Sequence, residues 1–247
     1  MLRVDWKQAW FAPWAAHGEG VVQRWHASGD LPQALNSFVH PNALRFVAQD
    51  ALSPGAAYEA FIDEQQRIPT RNNAHDFFNG LCWLHFPKTK RRLNRLQAQA
   101  IQTHGIQAQR GALRDAVTLM DENAVLLCAP ELVWQALQAK DWQSLFGQHR
   151  ELWQHVHVNV FGHALLEKLL TPYKGITGHV LCLPMPECLI TQAQASDAAL
   201  DDWLSSHTTA EWLQTKPFTP LPMLGVPGWW AENENPEFYA DKNVFRD

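Results

Sequence analysis

Apolar positions recur at helical spacing through residues 74–85. At about 100° per residue, Ala74, Phe77, Phe78, Leu81, Leu84 and His85 gather on one face. Asn72, His75, Asp76, Asn79 and Trp83 gather on the other, and Gly80 lies toward that polar side. The spacing predicts a helix with a buried back and a chemically capable front. Thr70 is placed to cap it, and Pro87 to stop it. A glycine inside a helix costs about 1 kcal/mol relative to alanine. Gly80 therefore suggests close approach of another backbone or a ligand.

The same reading extends along the chain. Short helices are expected at 20–27 and 32–38, with Asp30 as an N-cap ahead of Pro32, and residues 43–52 read as either a short helix or a strand. YEAFIDEQQR (58–67) looks helical. A further helix is predicted from Thr89 or Lys90 to about Thr103, its apolar stripe formed by Leu93, Leu96 and Ala100. Lys88, Lys90, Arg91, Arg92 and Arg95 crowd its first turns and oppose the helix dipole, so a bound anion or a carboxylate from elsewhere is expected there. Ala116–Met120 and Ala124–Cys128 flank Asp121-Glu122-Asn123 and read as a β-hairpin. Helices are expected at 130–140 and 142–153.

His155–Phe161 alternates polar and apolar, as a strand does, with His155, His157 and Asn159 on its polar side. HALLEKLL begins a helix after Gly162, and HVLCL (179–183) is a second strand. Residues 197–206 and 209–215 read as helices. After Lys216 the chain turns rich in Pro and aromatics, which predicts an ordered, irregular segment wrapped on the body. The sum is an α+β fold, predominantly helical, with a small sheet or hairpins in the middle and an irregular C-terminal segment. Without repeats or low-complexity linkers, residues 1–247 are expected to form one domain.

Composition narrows the setting. Twelve Trp and twelve Phe among 247 residues imply an aromatic core, and a formal charge of −5 disfavours a general nucleic-acid binder. Cys82, Cys128, Cys182 and Cys188 form no C-x-x-C pair and read as reduced, buried thiols of a cytoplasmic protein. The N-terminus does not read as a secretory signal, and no apolar run approaches the ~20 residues of a membrane span.

The runs TRNNAHDFFNGLCWLHFPKTKRRLN, RGALRDAVTLMDEN and FGHALLEKLL, with LPMLGVPGWW, NPEFY and VFR closing the chain, resemble the bacterial family known as domain of unknown function 3025. The resemblance spreads over about residues 55–247 in order. It implies one domain and carries no catalytic assignment.

Four constellations hold candidate chemistry. Arg71, His75, Asp76 and Asn79 could form a site, with arginine clamping an anion and histidine moving protons, or could be a packing network. Arg110, Arg114, Asp115, Asp121, Glu122 and Asn123 include acidic oxygens suited to a hard cation, or are ordinary turn residues. His163 and Glu167, four apart, suit a metal or an acid/base pair, or a half-buried hydrogen bond; His155 and His157 are the nearest candidates to complete a metal site. The basic helix start, with Trp83 nearby, could bind a phosphate backbone or simply be solvated.

Two functional classes stay open. One is a hydrolase-like enzyme acting on a small anionic molecule or phosphoester. His75 would be its acid/base, Asp76 the group that orients it, and Arg71 and Arg114 its anion clamps. Asp121, Glu122, His163 and Glu167 would be metal ligands or acid/base partners, with a divalent metal as candidate cofactor. The other is a non-enzymatic adaptor using the basic helix or the aromatic C-terminal segment. The sequence contains no G-x-S-x-G, P-loop or G-x-G-x-x-G pattern.

Overall fold

The structure, a computed structural model, describes residues 1–40, 43–105, 111–183 and 197–246. The fold is α+β and mostly helical, with a two-stranded and a four-stranded sheet. In chain order the main elements are α1 (Ala15–Ser28), α2 (Leu31–Asn36), β1 (Arg45–Ala48), α3 (Tyr58–Gln65), β2 (Arg67–Thr70), α4 (Ala74–His85), α5 (Pro87–His104) and α6 (Ala112–Asn123). There follow β3 (Ala124–Cys128), α7 (Glu131–Gln138), β4 (His157–Val160), α8 (His163–Lys168), β5 (Thr177–Leu183), α9 (Asp197–His207), α10 (Ala210–Gln214) and β6 (Thr219–Pro222).

The larger sheet runs β4-β3-β5-β6, with β3 parallel to β5 and antiparallel to β4. All five residues of β3 are buried, as a central strand covered on both faces requires. β1 and β2 pair in parallel, with Val47 opposite Pro69, so a proline that cannot donate to a ladder sits in a sheet of only two strands. Asn36 closes this small sheet from α2, donating to the Phe46 carbonyl at 2.7 Å and accepting from its amide at 3.0 Å.

The back of α4 is as the pattern predicted. Phe77, Phe78 and Leu81 are fully buried, with Phe11 stacked on Phe78 and Trp14 tilted against His85. Its start differs: Thr70 belongs to β2, and Asn73 is the N-cap, accepting from the Asp76 amide at 2.7 Å. Asn72 lies before the helix and accepts from the Leu31 amide at 2.7 Å. The close approach at Gly80 comes from the Leu35 side chain of α2, 2.5 Å from where a Cβ would stand, rather than from a backbone or ligand.

The opposed dipole of α5 is relieved by a carboxylate. Asp201 of α9 accepts from the Lys88 and Thr89 amides at 2.9 and 2.8 Å, capping a helix whose own N-cap, Phe86, has no polar side chain. Lys88 pairs with Asp202, Arg92 donates to the Thr208 carbonyl at 2.8 Å, and Arg95 lies 3.7 Å from Asp63. Most of the basic patch is thus committed within the fold.

The expected hairpin at 116–128 is instead a helix followed directly by a strand. Leu113, Ala116, Val117 and Met120 repeat at helical intervals and pack inward, and only 124–128 is extended. Asp121, Glu122 and Asn123 form the last turn of α6, not a loop. The helix expected over 142–153 is a π-helical turn at 144–148 followed by a 3-10 turn at 150–155.

The C-terminal segment is ordered and irregular. It supplies β6, then puts Phe238 and Phe245 into the core beside Phe146 and Tyr239. Asn233 ties it down by donating to the carbonyls of Leu224 and Val226. The buried apolar residues from Trp10 to Phe245 make one contiguous cluster. Cys82 and Cys182 are free thiols, whereas Cys128 is disulfide-bonded, which overturns the expectation of four reduced cysteines. Cys188 and Arg110 lie outside the described residues. No helix among the described residues is long and apolar enough to cross a membrane.

Candidate active site

Three helices place polar side chains around a cavity of about 350 Å³. α4 contributes His75, Asp76, Asn79 and Trp83; α5 contributes Lys90, Asn94 and Gln97; α6 contributes Val117, Thr118, Asp121 and Glu122. His163, the first residue of α8, also lines it, as do Tyr58 and Arg71.

His163 is put there by Gly162. A Cβ on this residue would stand 2.4 Å from the Glu122 carbonyl oxygen and 2.5 Å from the Asn123 nitrogen. Its amide and that of Phe161 both donate to the Ala124 carbonyl, at 2.8 and 3.0 Å. Only glycine lets the β4–α8 turn lie this close on the end of α6.

One hydrogen-bonded chain crosses the cavity wall. His75 Nδ1 lies 2.8 Å from Glu167 Oε2, and His163 Nδ1 lies 2.7 Å from the Asp121 carbonyl oxygen. A carboxylate and a carbonyl can only accept, so both Nδ1 atoms carry the protons. The two Nε2 atoms then face each other at 3.1 Å, with the rings edge-on at 76°. Burial pushes the His163 pKa down to about 4, against the pull of the nearby Asp121 charge. Its ring is therefore neutral at ordinary pH. His75 is more open, its side chain 35% exposed.

Beside this chain sits a buried ion pair. Lys90, 3% exposed at its side chain, pairs with Asp121, donates to Asn79 Oδ1 at 2.8 Å and lies 5.6 Å from the Trp83 ring centre. Burial works against the Asp121 charge, but the Lys90 ammonium outweighs it and holds the carboxyl below its usual range. Asn79 in turn donates to the Tyr58 hydroxyl at 3.3 Å, and burial followed by the Asp76 charge pushes the Tyr58 pKa up. Tyr58 thus remains a neutral phenol.

The sequence-expected residues divide. His75, Asp76, Arg71, Asp121, Glu122 and His163 line one cavity, although they come from separate stretches of chain. Glu167 stands behind His75 and is its orienting partner, so the expected His163–Glu167 pair on one helix is replaced by a contact between helices. Asp76 does not orient His75. It takes Arg71 Nε and Nη2 at 3.2 and 2.9 Å and the Arg71 amide at 2.6 Å. Arg71 is still 57% exposed at the cavity rim.

Arg114 is outside the lining, bonded to Gln97 at 3.0 Å. His155 and His157 are exposed and away from the cavity. Asp121, Glu122, His163 and Glu167 do not converge on one point: among the described residues no three His, Cys, Asp or Glu side chains form a metal-binding group. Cys82 donates to the Phe161 carbonyl, and burial pushes its pKa up to about 12, which leaves it no nucleophilic role.

Lys90, Tyr58 and Gly162 were missed as members of the site. Lys90 looked like one charge of a solvated basic run, and only its spacing from the apolar Leu93 hinted that it faced inward.

A family model described as Protein of unknown function (DUF3025) matches residues 44–247. The chain belongs to the DUF3025 family. No curated protein and no solved structure matches it. Every residue of the Glu167–His75–His163 chain, and the Lys90–Asp121 pair, falls inside the DUF3025 span. The first 43 residues lie before it, yet Phe11 and Trp14 complete the packing behind α4.

Proposed function

We propose that this DUF3025 protein is a hydrolase whose acid/base is His75. The observation that carries this is the Glu167–His75–His163 chain, fixed at both ends and leaving two imidazole Nε2 atoms on a cavity wall. A water set against both Nε2 atoms can donate to each. As its oxygen bonds to an electrophilic carbon or phosphorus, His75 Nε2 takes its proton and Glu167 stabilises the resulting imidazolium. The bond to the leaving group breaks, and the imidazolium returns the proton to that group. His163, too buried to charge readily, serves as the second acceptor.

The charge of the lining shapes the substrate. Glu59, Asp76, Asp121 and Glu122 are acidic, whereas the only Arg and Lys are Arg71 and Lys90, both already paired. An anionic group on the substrate, such as a phosphoester or carboxylate, is best accommodated at the rim, where the Arg71 guanidinium is half in solvent. The neutral, scissile part would lie inward beside Tyr58 and Asn79. The adaptor alternative loses its motives, because the basic residues and the aromatic segment are largely used inside the fold. A cytoplasmic setting keeps the support of the free Cys82 and Cys182 thiols and loses that of the bonded Cys128.

The test is a panel of chromogenic carboxylic esters and phosphoesters, with the purified chain and its His75→Gln form. Positioned general acid–base catalysis contributes about 10²–10⁴-fold. The variant is expected to lose that factor in kcat while its melting profile stays close to that of the unaltered chain. Hydrolysis that persists at full rate in His75→Gln would overturn the reading.

A further inference from the structure

The histidine pair leaves two ring nitrogens facing one another on the cavity wall. With each Nδ1–H committed to an oxygen acceptor, the position left on each ring is its Nε2. These two Nε2 atoms stand 3.1 Å apart, where a single proton or a single metal ion would satisfy both. Something electrophilic belongs between or against them.

We infer that His75 Nε2 and His163 Nε2 are ligands of a divalent transition ion of the Zn²⁺ class, bound in an open site facing the cavity. Three observations converge on this. Metal-bound histidines characteristically give their other N–H to a carboxylate or a backbone carbonyl, and the pair has one of each, Glu167 and Asp121 O. Two imidazole nitrogens held at the ~2.0–2.1 Å of a Zn–N bond stand roughly 3.3 Å apart in a tetrahedral shell, close to the spacing found. The lining carries four carboxylates against one guanidinium and one ammonium, a net negative field that favours a cation.

Imidazole donors suit zinc, copper or nickel rather than magnesium or calcium, which take oxygen ligands. No third His, Cys, Asp or Glu side chain joins the pair among the described residues. The remaining positions fall to water and substrate, which makes the ion exchangeable and leaves room for chemistry. The inference rests on the hydrolytic reading for the ion's role, but not for its binding; a coordinated Nε2 has no lone pair left for a proton, so with the ion bound His75 would be a ligand and the ion would take over the activation of the water.

The experiment reads binding and activity separately. Tag-free protein stripped with a chelator is titrated with Co²⁺, followed by its visible absorption, and with Zn²⁺ in competition. One equivalent is expected to bind. His75→Ala should abolish binding, Glu167→Gln should weaken it about 10–100-fold by loosening the ligand it orients, and His157→Ala, altered on an exposed strand position, should bind as the unaltered chain does. Nitrogen-15 NMR should report both Nε2 atoms shifted by the ion. Absence of binding, or binding unchanged in His75→Ala, overturns the metal site; so does NMR showing one extra proton shared between the two rings in the presence of Zn²⁺. Zinc bound as described with no hydrolysis on any substrate defeats the hydrolase reading alone. Hydrolysis that survives complete chelation defeats the ion's role and leaves that reading in place.

Discussion

Gly162 shows how one side chain's absence builds a site. Its φ is −65°, so any residue could adopt its backbone; what excludes a larger one is the Glu122–Asn123 backbone against its Cα. Gly162→Ala is expected to destabilise the fold by about 1–3 kcal/mol, as overpacking does. Chemical denaturation measures the loss, and a midpoint equal to that of the unaltered chain would show that the turn gives way freely. The sequence marked Gly162 only as the end of a strand, because the backbone it touches is some 40 residues earlier. His75 was legible as a candidate, since a histidine stood alone on the polar side of an amphipathic helix. Its partner was not: Glu167 is 92 residues away, and the nearest carboxylate in sequence, Asp76, is taken by Arg71.

Helix α5 depends on a neighbour for its start. It begins with Pro87 after an apolar N-cap, and its free amides are satisfied by Asp201 of α9. Asp201→Ala is expected to cost about 1–2 kcal/mol, within the range of a lost N-cap, by urea denaturation at neutral pH. Asp201 also sets a pH dependence. Burial raises its pKa above 3.8, although the Thr89 and Lys88 bonds pull the other way. A carboxyl with a raised folded-state pKa contributes stability below its unfolded value and loses it as pH rises through the folded one. The stability of the unaltered chain relative to Asp201→Asn should therefore be greater at pH 4 than at pH 7, and the opposite trend would contradict the raised value.

The sequence foresaw the need for a carboxylate here because a crowd of like charges at a helix start is a local fact. It misread α6 for an equally local reason: Ala116–Met120, five residues beside turn-forming Asp and Asn, fits a short strand as well as part of a helix. The match of Leu113, Val117 and Met120 decides between them only over a longer window. β2 was hidden because its pairing partner, β1, is 22 residues away in register, and Pro69 beside it argued for a break.

The body of the protein is one apolar cluster closed late in the chain. Phe245 is fully buried against Trp142, Phe146 and Tyr239, and the Trp142 indole donates to the Arg246 carbonyl at 2.9 Å. Phe245→Ala is expected to lower stability by about 3–5 kcal/mol, measured by thermal and urea unfolding; a loss below 1 kcal/mol would mean that the segment is a loose cover. Its aromatic density told the sequence that the segment was ordered, but not that it extends the sheet through β6. The general architecture was readable because periodicity is written locally. The cavity was not, since it is made by three helices meeting.

The junction of α6 and β3 has no linker: Asn123 is the last helical residue and Ala124 the first of the strand. The wall that carries Asp121 is therefore continuous with the central strand of the sheet. Swinging it outward would mean drawing β3 from between β4 and β5. This side of the cavity behaves as a fixed jaw, and any opening that admits or releases a molecule has to be made elsewhere along the lining, as at Gln49 and Leu52, which precede the exposed residues 53–56.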